Sequence, residues 1–505
     1  MRSIALACAG RAAKHRAAAM RHPNRTKIVA TIGPASRNES TILRLARAGA
    51  DVFRLNAAHC DHATLERDVR VIRGVARQLR THVGILVDLQ GPKIRLGAFL
   101  DAEPIFIRRG ERLVLSVAPG VVGRAGEGKQ PTRLGCGYRD LAKDVRVGER
   151  ILLDDGYMEL RVLGSEGTEV LTRVVHGGLL KQHKGINLPG SVVSASPISA
   201  KDVADLRCAL AAGVDFIALS FVRTAADVLE LRRRIKAAGS DALVVAKVER
   251  REAIRNLNAI VQTADAIMVA RGDMGVELGA ENVPALQKRI IRACVAARKP
   301  VITATQMLES MITNPRPTRA EASDVANAIY DGTSAIMLSA ETATGKHPVR
   351  AVGTMDRIVR SSERDLFATT EFARQRRRRN LGESAVVLAT VRAAAYAALD
   401  VGASAIAVFT ESGRTAVLMA GERAQTPVYA FSPHPRALQR LSLVWGVTAL
   451  KVSRFRTSHE MTLDGERLLK ERKLVRPGAR VVVVSGSIRQ TGLTSMMHIR
   501  TLGSP

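Results

Sequence analysis

The 505-residue sequence has few aromatic residues, few cysteines and no long hydrophobic run. Aromatic residues make up 3%, with Trp445 as the single tryptophan, so side chains that could stack on single-stranded nucleic acid are scarce. The five cysteines are far apart and form no C-x-x-C pair, which argues against a disulfide scaffold or zinc ribbon and favours a reducing, cytoplasmic location. No stretch approaches the roughly 18–20 apolar residues of a membrane span, so we expect no membrane partner.

Acidic residues are also scarce relative to basic ones. The sequence has 47 acidic residues against 77 lysines and arginines, a net charge of +30. Such a surface attracts polyanions, whether nucleic acids, acidic membranes or phosphorylated metabolites. A solvated, arginine-rich surface is the simpler explanation, and the longest basic run, Arg376–Arg379, falls where a linker is expected. Charge therefore does not select a function, while 46% hydrophobic residues predict a folded, multidomain protein.

Residues 1–24 form a segment of distinct composition, with basic residues, many alanines and no acidic residue. This composition is typical of targeting peptides, although the apolar stretch Ile4–Ala9 is too short for a secretory signal. We expect a disordered basic extension, with Met20 as an alternative start.

From Thr26 onward, short β-branched runs alternate with amphipathic helical patterns. Eight such runs are predicted strands: Lys27–Ile32, Asp51–Leu55, Gly84–Leu89, Asp215–Ser220, Leu243–Val248, Asp265–Val269, Pro300–Thr305 and Ser334–Leu338. Eight alternating strand and helix units, with strands buried on both faces, predict an α/β fold, the (β/α)8 TIM barrel. The predicted barrel consists of residues 25–91 and 188–362.

Two further regions differ from the barrel in pattern. Residues 92–187, between the third and fourth predicted strands, are rich in Gly, Val and Arg with short alternating runs, and predict a small, inserted β-rich domain. Residues 363–505 begin with a predicted helix at Ser384–Leu399 and predict an open α/β domain at the C-terminus. Three apolar runs in this region are predicted strands: Ala405–Phe409, Val428–Phe431 and Arg480–Val484.

Charged and polar residues follow five of the predicted barrel strands. Catalytic groups of such barrels lie at the C-terminal ends of the strands, so these residues are expected to converge on one rim. Glu249 and Asp273 offer the hard oxygen ligands that suit Mg²⁺, with Mn²⁺ as an alternative. Arg54, Lys247 and Arg95 are cations that suit phosphoryl oxygens.

The amides of Gly272 and Asp273 add an anion site where a helix is predicted to begin, and a carboxylate could bind there. Structural ion pairs would explain one such charged pair easily, but five consecutive strand ends less well. A divalent metal beside several cations and a hydroxyl predicts phosphoryl transfer or stabilisation of an enolate.

Long motifs extend over nearly the whole chain from Thr26. They are TKIVATIGPAS, RLNAAH, DLQGPKIR, KGINLPG, MVARGDMGVE and ATQMLESMITNPRPTRAEASDVANAIYDGTSAIMLSAET. These motifs resemble those of the pyruvate kinase family. The resemblance implies a (β/α)8 barrel, an inserted small β-barrel lid domain and a C-terminal regulatory α/β domain, assembled as a homotetramer.

The resemblance also implies a reaction, the Mg²⁺-dependent transfer of the phosphoryl group of phosphoenolpyruvate to ADP at the last step of glycolysis. Glu249 and Asp273 would hold the divalent ion. Lys247 would neutralise charge during transfer, and Arg54 would grip the phosphoryl group. Thr305 would orient the substrate carboxylate and take part in protonating the enolate, whose actual proton donor is not readable from the sequence.

Nucleotide contacts are implied in the same way for residues near the lid. Four positions match the motifs: Pro34, His59, Arg95 and Lys184. The phosphates of ADP would contact the cations, with the loop at Pro34 near the adenosine.

The monovalent-cation region departs from the family pattern. Potassium-requiring members supply an Asn, a Ser two positions later and an Asp that begins the third-strand motif. This sequence has Asn56 and Asp88, but Ala58 in place of the Ser, and Lys93 follows Gly-Pro. A fixed ammonium can offset carboxylate and phosphate charge as bound K⁺ does. We therefore predict that Lys93 replaces potassium and that K⁺ is not required; the alternative is that Lys93 faces solvent at the lid hinge.

A loop in the C-terminal region has a pattern that fits either a phosphate-binding nest or a simple capped turn before a helix. Small hydroxyl residues and a glycine follow an apolar strand and precede a helix, which is a pattern of phosphate nests: Thr410, Ser412, Gly413, Arg414 and Thr415. The resemblance implies that a phosphorylated allosteric effector binds there, AMP or a sugar monophosphate rather than fructose 1,6-bisphosphate. The later loop, Ser485–Thr494, departs from the family pattern and leaves the effector's identity open.

Two other functions remain open at this point. A metal-dependent barrel lyase or aldolase acting on pyruvate-like enolates would share the Mg²⁺ and carboxylate logic but would need no nucleotide lid. A basic RNA-binding protein would explain the net charge and the arginine run, and steep salt dependence of binding would identify it.

Overall fold

A computed structural model describes residues 24–128, 130–191, 193–194, 196–368, 385–454, 457–486 and 494–503. The strands of these ranges are β1 (Lys27–Ile32), β2 (Val52–Asn56), β3 (Gly84–Asp88), β4 (Ile105–Ile107), β5 (Arg112–Ser116), β6 (Thr132–Gly135), β7 (Arg150–Leu153), β8 (Met158–Glu166), β9 (Glu169–His176), β10 (Gly178–Leu180), β11 (Ile186–Asn187), β12 (Phe216–Leu219), β13 (Leu243–Val248), β14 (Ala266–Ala270), β15 (Val301–Ala304), β16 (Ala335–Leu338), β17 (Ala405–Phe409), β18 (Val428–Ser432), β19 (Val447–Lys451), β20 (Arg480–Gly486) and β21 (Thr494–Thr501).

The α-helices of the described ranges lie mostly between successive strands of the barrel and of the C-terminal sheet. They are Glu39–Ala48, His62–Gln78, Leu141–Asp144, Ala200–Ala211, Ala225–Ala237, Arg251–Arg255, Leu257–Thr263, Arg271–Leu278, Val283–Ala296, Arg319–Tyr330, Ala340–Ala343, Pro348–Ala368, Ala385–Asp400, Arg414–Gly421, Pro435–Arg440 and Ser458–Glu471. The predicted disordered segment up to residue 23 and the basic run Arg376–Arg379 lie outside the described residues.

Eight parallel strands close into a barrel in the order β1, β2, β3, β12, β13, β14, β15, β16. Each predicted barrel strand matches an observed one to within one residue at either end. The strands are apolar on both faces because one face packs inside the barrel, with Leu86 and Phe216 among its residues, while the other packs on the surrounding helices. The predicted α/β TIM-barrel fold is confirmed.

The C-terminal region covers the end of the barrel at which the strands begin. Leu443, in the turn after Pro435–Arg440, packs in the same apolar cluster as Val52 and Phe216 inside the barrel. A Cβ on Gly84, the first residue of β3, would clash with the Ser442 hydroxyl, so a side chain there would displace the C-terminal region. The opposite end of the barrel, where the strands finish, is therefore the end at which substrates can enter.

Between β3 and β12 the chain builds a separate sheet, which we call the lid. Its six strands have the order β11, β7, β8, β9, β5, β6, and β4 pairs with β10 in a two-stranded ribbon. The lid has its own apolar core, which includes Leu113 and Leu160. The two connections to the barrel run side by side, since the Leu96 amide donates to the Lys184 carbonyl at 2.9 Å. This pairing places Arg95 and Lys184 together at the base of the lid.

The C-terminal sheet has five strands in the order β19, β18, β17, β20, β21, with β21 antiparallel and the others parallel. The sequence predicted only three of them. Strand β19 was missed because its two buried residues are separated by half-buried ones, and β21 because only its first residue, Thr494, is buried. In the described part of the chain, no helix is long and apolar enough to span a bilayer.

Candidate active site

The side chains at the ends of β2, β3 and β13 form one connected cluster of charges. Arg54 donates from Nε and Nη2 to Oδ2 of Asp88 at 2.9 and 2.7 Å. Lys247 Nζ lies 3.4 Å from Oδ1 of the same aspartate and 3.0 Å from Oε1 of Glu249. All four side chains are at most 12% exposed. The structure thus brings together residues from three strand ends that the sequence predicted to converge.

The charge states of this cluster follow from burial and from opposite charges. Burial lowers the pKa of Lys247, but the nearby carboxylates of Asp88, Glu249 and Asp273 outweigh it, so the net shift is upward and the ammonium stays charged. Burial raises the pKa of Asp88, but Lys247 and Arg54 bring it below its ordinary value. A fixed cation therefore lies at the mouth of the barrel at neutral pH.

Glu249 is the least satisfied member of the cluster. Its Oε2 accepts a hydrogen bond from the Phe221 amide at 2.7 Å. Its Oε1 is buried and accepts no hydrogen bond, although Lys247 Nζ lies 3.0 Å away as an ion-pair partner. Burial raises the pKa of Glu249 to about 7, with Lys247 acting in the opposite direction and Asp273 in the same one. A buried carboxylate oxygen that has an ion-pair partner but accepts no hydrogen bond is open to a further ligand.

The end of β12 adds two residues that sequence reasoning missed. Ser220 Oγ accepts a hydrogen bond from Lys247 Nζ at 2.7 Å and donates to the Leu89 carbonyl at 2.8 Å. Phe221 has a φ of 55°, and this left-handed conformation lets its amide reach Glu249. A reading of the fourth strand end, like that of the other five, would have found both residues.

The ends of β14 and β15 form the other half of the site. The helix Arg271–Leu278 begins there, as predicted, and the Gly272 amide donates to Thr305 Oγ1 at 2.9 Å. The Thr305 hydroxyl donates in turn to the Ala304 carbonyl at 2.6 Å. Thr305 has a φ of 68°, which is rare for a β-branched residue. Asp273, in the first turn of this helix, is close enough to affect the pKa of both Lys247 and Glu249.

These residues suit a divalent ion for which the protein supplies only some of the ligands. In the described ranges, no group of three or more His, Cys, Asp or Glu side chains is arranged to hold a metal. Glu249 and Asp273 supply two carboxylates, and the buried Oε1 of Glu249 accepts no hydrogen bond. Mg²⁺ binds hard oxygens and keeps several positions for water or substrate, so this donor set suits it.

Three of the four predicted nucleotide residues lie near the base of the lid: His59, Arg95 and Lys184. Arg95 Nη1 donates to the His183 carbonyl at 3.1 Å, and Lys184 Nζ pairs with Asp154 at 2.7 Å. Burial lowers the pKa of His59, and neighbouring cations, Arg95 first among them, lower it further. Pro34 is exposed in the turn after β1. The structure therefore gathers cations beside a neutral histidine at neutral pH.

The predicted monovalent-cation residues are partly engaged elsewhere. Asn56 Oδ1 accepts the Ala58 amide at 3.1 Å, and Asp88 is held by Arg54 and Lys247. Lys93 Nζ lies 4.0 Å from Asp155 of the lid.

The predicted effector loop forms a turn into the helix Arg414–Gly421. The Gly413 amide donates to Thr410 Oγ1 at 3.0 Å, and Gly413 has a φ of 87°. The Arg414 amide donates to Ser412 Oγ at 3.4 Å. Thr415 is buried, and its hydroxyl is 2.6 Å from that of Thr494. Most of the later loop, residues 487–493, lies outside the described ranges.

Comparisons with known proteins agree with this architecture. The family model for the pyruvate kinase barrel domain matches residues 23–352, and that for the pyruvate kinase alpha/beta domain matches residues 388–500. The pyruvate kinase of Corynebacterium glutamicum is 43% identical over 486 residues, 95% of this chain and 98% of the relative. That of Geobacillus stearothermophilus is 41% identical over 484 residues, 95% of this chain and 80% of the relative.

A solved structure gives the same result in three dimensions. The crystal structure of a pyruvate kinase from Cryptosporidium parvum superposes with a TM-score of 0.88 at 32% identity, and the match covers 95% of this chain and 96% of that one. The chain is a phosphotransferase that belongs to the pyruvate kinase family.

Proposed function

We propose that this enzyme transfers the phosphoryl group of phosphoenolpyruvate to ADP, giving pyruvate and ATP. The observation that carries the proposal is the cluster at the ends of β2, β3 and β13. There a buried ammonium, Lys247, lies between Asp88 and Glu249, beside the guanidinium of Arg54. Fixed cations in a water-poor site stabilise the charge of a breaking enol-phosphate ester without reorganising.

Glu249 and Asp273 would hold Mg²⁺, or Mn²⁺ in its place, and the metal would supply Lewis-acid stabilisation of substrate oxygens. The Oε1 of Glu249 supports this role, since it is buried and paired with the Lys247 ammonium at 3.0 Å but accepts no hydrogen bond, which leaves it available to a ligand. The hydrogen bond from the Phe221 amide fixes the carboxylate's orientation before any ligand arrives.

Arg54 and Lys247 would divide the work of charge neutralisation. Arg54 presents a planar guanidinium that can grip two phosphoryl oxygens at once. Lys247, held by Ser220 from one side and by carboxylates from the other, would lie between the phosphoryl group and the departing enolate oxygen. Its raised pKa keeps the ammonium charged throughout the transfer.

Gly272 and Thr305 would bind the carboxylate end of the substrate. The Gly272 amide is at the start of the helix Arg271–Leu278, where exposed amides favour an anion. Its present partner, the Thr305 hydroxyl, is near enough to contact the same carboxylate and to take part in protonating the enolate.

Pro34, His59, Arg95 and Lys184 would bind ADP between the barrel and the lid. The cations around His59 support this assignment because together they match the charge of a diphosphate. Lys184 would exchange its Asp154 partner for a phosphate when nucleotide enters.

An assay coupled to lactate dehydrogenase tests the reaction, with phosphoenolpyruvate and ADP as substrates and EDTA as the metal control. Pyruvate formation should require both ADP and a divalent cation. Pyruvate release without ADP would mean that water accepts the phosphoryl group, and would contradict the proposed transfer to ADP.

We also propose that K⁺ is not required and that Lys93 takes its place. Ala58 offers no hydroxyl ligand, and Asn56 Oδ1 is already bonded to the Ala58 amide. Activity in tetramethylammonium buffer should change by less than twofold when KCl is added, and a large activation would refute the proposal. In K93E, by contrast, KCl should activate.

A phosphorylated effector would bind at the loop Thr410–Thr415, AMP or a sugar monophosphate rather than fructose 1,6-bisphosphate. The left-handed Gly413 and the turn around it support an anion-binding loop. Thermal-shift titrations with these three metabolites should show a rise for a monophosphate. S412A should abolish that rise, and an unchanged midpoint with all three would contradict the proposal.

The assembly would be a homotetramer. The helix Ala385–Asp400 supports self-association because three of its large apolar side chains are 40–59% exposed: Val386, Tyr396 and Leu399. Ile499 on the neighbouring strand β21 is 45% exposed. Analytical ultracentrifugation of the full chain tests the assembly, and a monomer at micromolar concentration would contradict it.

A further inference from the structure

The segment that carries Thr305 has a strained backbone. After β15 ends at Ala304, Thr305 and Gln306 have φ values of 68° and 53°. A β-branched residue such as Thr305 is rare in the left-handed region. Two successive non-glycine residues in that region persist only when surrounding groups hold them. What holds this turn therefore also fixes the position of the Thr305 hydroxyl.

The side chain of Arg271 is the main contact of this turn. Its Nη2 donates to the carbonyls of Thr305 at 2.7 Å and Gln306 at 3.1 Å, and its Nε lies 3.3 Å from those of Ala304 and Thr305. Its Nη1 pairs with Asp324 at 2.7 Å. Arg271 is only 10% exposed. A planar group with five donors can serve three successive carbonyls and a carboxylate, whereas an ammonium cannot reproduce that fork.

The same residue also begins the helix that presents Gly272 and Asp273. Its backbone therefore leads into the proposed carboxylate and metal positions, while its side chain holds the turn opposite them. The hydrogen bond from the Gly272 amide to Thr305 Oγ1, at 2.9 Å, joins these two parts.

We propose that Arg271 is a positioning residue for the reaction. Its guanidinium, held by Asp324, fixes the left-handed turn at Thr305 and Gln306 and so places the Thr305 hydroxyl beside the bound carboxylate. Arg271 itself does not touch the substrate. This inference rests on the proposed function, since it assigns a role within the same site.

The test compares R271K with a matched control, R232K. Arg232 also holds a backbone carbonyl, that of Thr263 at 2.8 Å, and an aspartate, Asp265 at 3.0 Å, but it lies at the opposite end of the barrel. R271K should lower kcat at least tenfold with little change in the KM for ADP. R232K should lose a similar amount of thermal stability while keeping its kcat.

A double-variant cycle separates positioning from general damage. If Arg271 acts through the Thr305 hydroxyl, R271K combined with T305A should be no slower than the slower single variant. D324N, which keeps the carbonyl contacts, should give a smaller loss of kcat than R271K. Exchange of pyruvate methyl protons for deuterium, followed by NMR, should fall in R271K by the same factor as kcat.

A kcat of R271K within twofold of the unsubstituted enzyme would overturn the inference and leave the proposed function intact. Multiplicative losses in the double variant would overturn it too. If the unsubstituted enzyme produced no pyruvate from phosphoenolpyruvate and ADP, both the proposed function and this inference would fail.

Discussion

The two ends of the barrel both contain buried charges, but they arrange them differently. Where the strands begin, an aspartate precedes each of three strands, pairs with one cation and accepts one backbone amide of a neighbouring strand. These aspartates are Asp51 with Lys27, Asp215 with Arg73 and Asp265 with Arg232. Where the strands end, Asp88 is shared between two cations, and the buried Oε1 of Glu249 is paired with Lys247 but accepts no hydrogen bond.

This difference separates structural charges from functional ones. Each pair at the first end is complete in itself, so it can join neighbouring strands but has little left to offer a ligand. In the cluster where the strands end, the buried Glu249 oxygen still has room for a hydrogen bond or a metal. Buried polar groups of this kind persist in proteins mainly where a ligand binds them. Variants where the strands begin should therefore lose stability, and variants where the strands end should lose activity.

The largest expected effect is that of K247M on turnover. Removal of the buried ammonium should lower kcat by about two to three orders of magnitude, because no other group can take its place between Asp88 and Glu249. K27M is the matched control, since Lys27 is also buried and lies 3.5 Å from Asp51 at the other end. K27M should lower the unfolding midpoint and keep kcat within twofold in the coupled assay. Equal losses of kcat in both variants would contradict the distinction between structural charges where the strands begin and functional charges where they end.

E249Q should weaken metal binding by at least the ~10–100-fold seen when an outer-sphere partner is removed. It should not lower the stability of the metal-free protein at pH 8. Because burial raises the pKa of Glu249 to about 7, its charge opposes folding above that pH, and a neutral glutamine removes this effect. Thermal unfolding with and without MnCl₂ checks both points. A clear destabilisation of the metal-free variant would show that the carboxylate is a structural group.

R73M should affect stability and leave turnover unchanged. It leaves Asp215 buried without its cation, a change that typically destabilises a protein by about 3 kcal/mol. Burial raises the pKa of Asp215, and loss of Arg73 would raise it further, so protonation should reduce the deficit at low pH. The difference in unfolding midpoint from the unsubstituted protein should therefore be larger at pH 8 than at pH 5. A pH-independent difference would argue against an effect of charge.

The smallest expected effect concerns His82, which lies before β3 near Arg472 and Lys451. Burial first, and these cations second, lower the pKa of His82 to about 4. The unfolded chain binds a proton near pH 6.5 and the folded chain does not, so stability is lost as pH falls from about 6.5 towards 4. H82Q should flatten this part of the profile of unfolding midpoint against pH. An unchanged slope would mean that other groups dominate acid sensitivity.

The barrel and half of the site could be predicted from the sequence because both depend on local signals. Strands buried on both faces give continuous apolar runs, and Arg54, Lys247 and Glu249 stand at or just after the ends of such runs. Ser220 follows the fourth barrel strand, so the rule that found Arg54 and Lys247 would have included it, but its role is evident only from Lys247 at 2.7 Å. The left-handed turn at Thr305 and the pairing of Thr415 with Thr494 depend on contacts between distant segments, which no local pattern encodes.

The direct pairing of β3 with β12 bears on whether the lid between them can be removed from the chain. Leu86 lies opposite Phe216 although the entire lid separates them in sequence. The entropy lost on closing a loop grows only logarithmically with its length, by about 0.6 kcal/mol per doubling, so the lid adds little to the difficulty of forming the barrel. Since the lid also has its own apolar core, we expect the barrel to form without the lid when a short linker replaces the insertion.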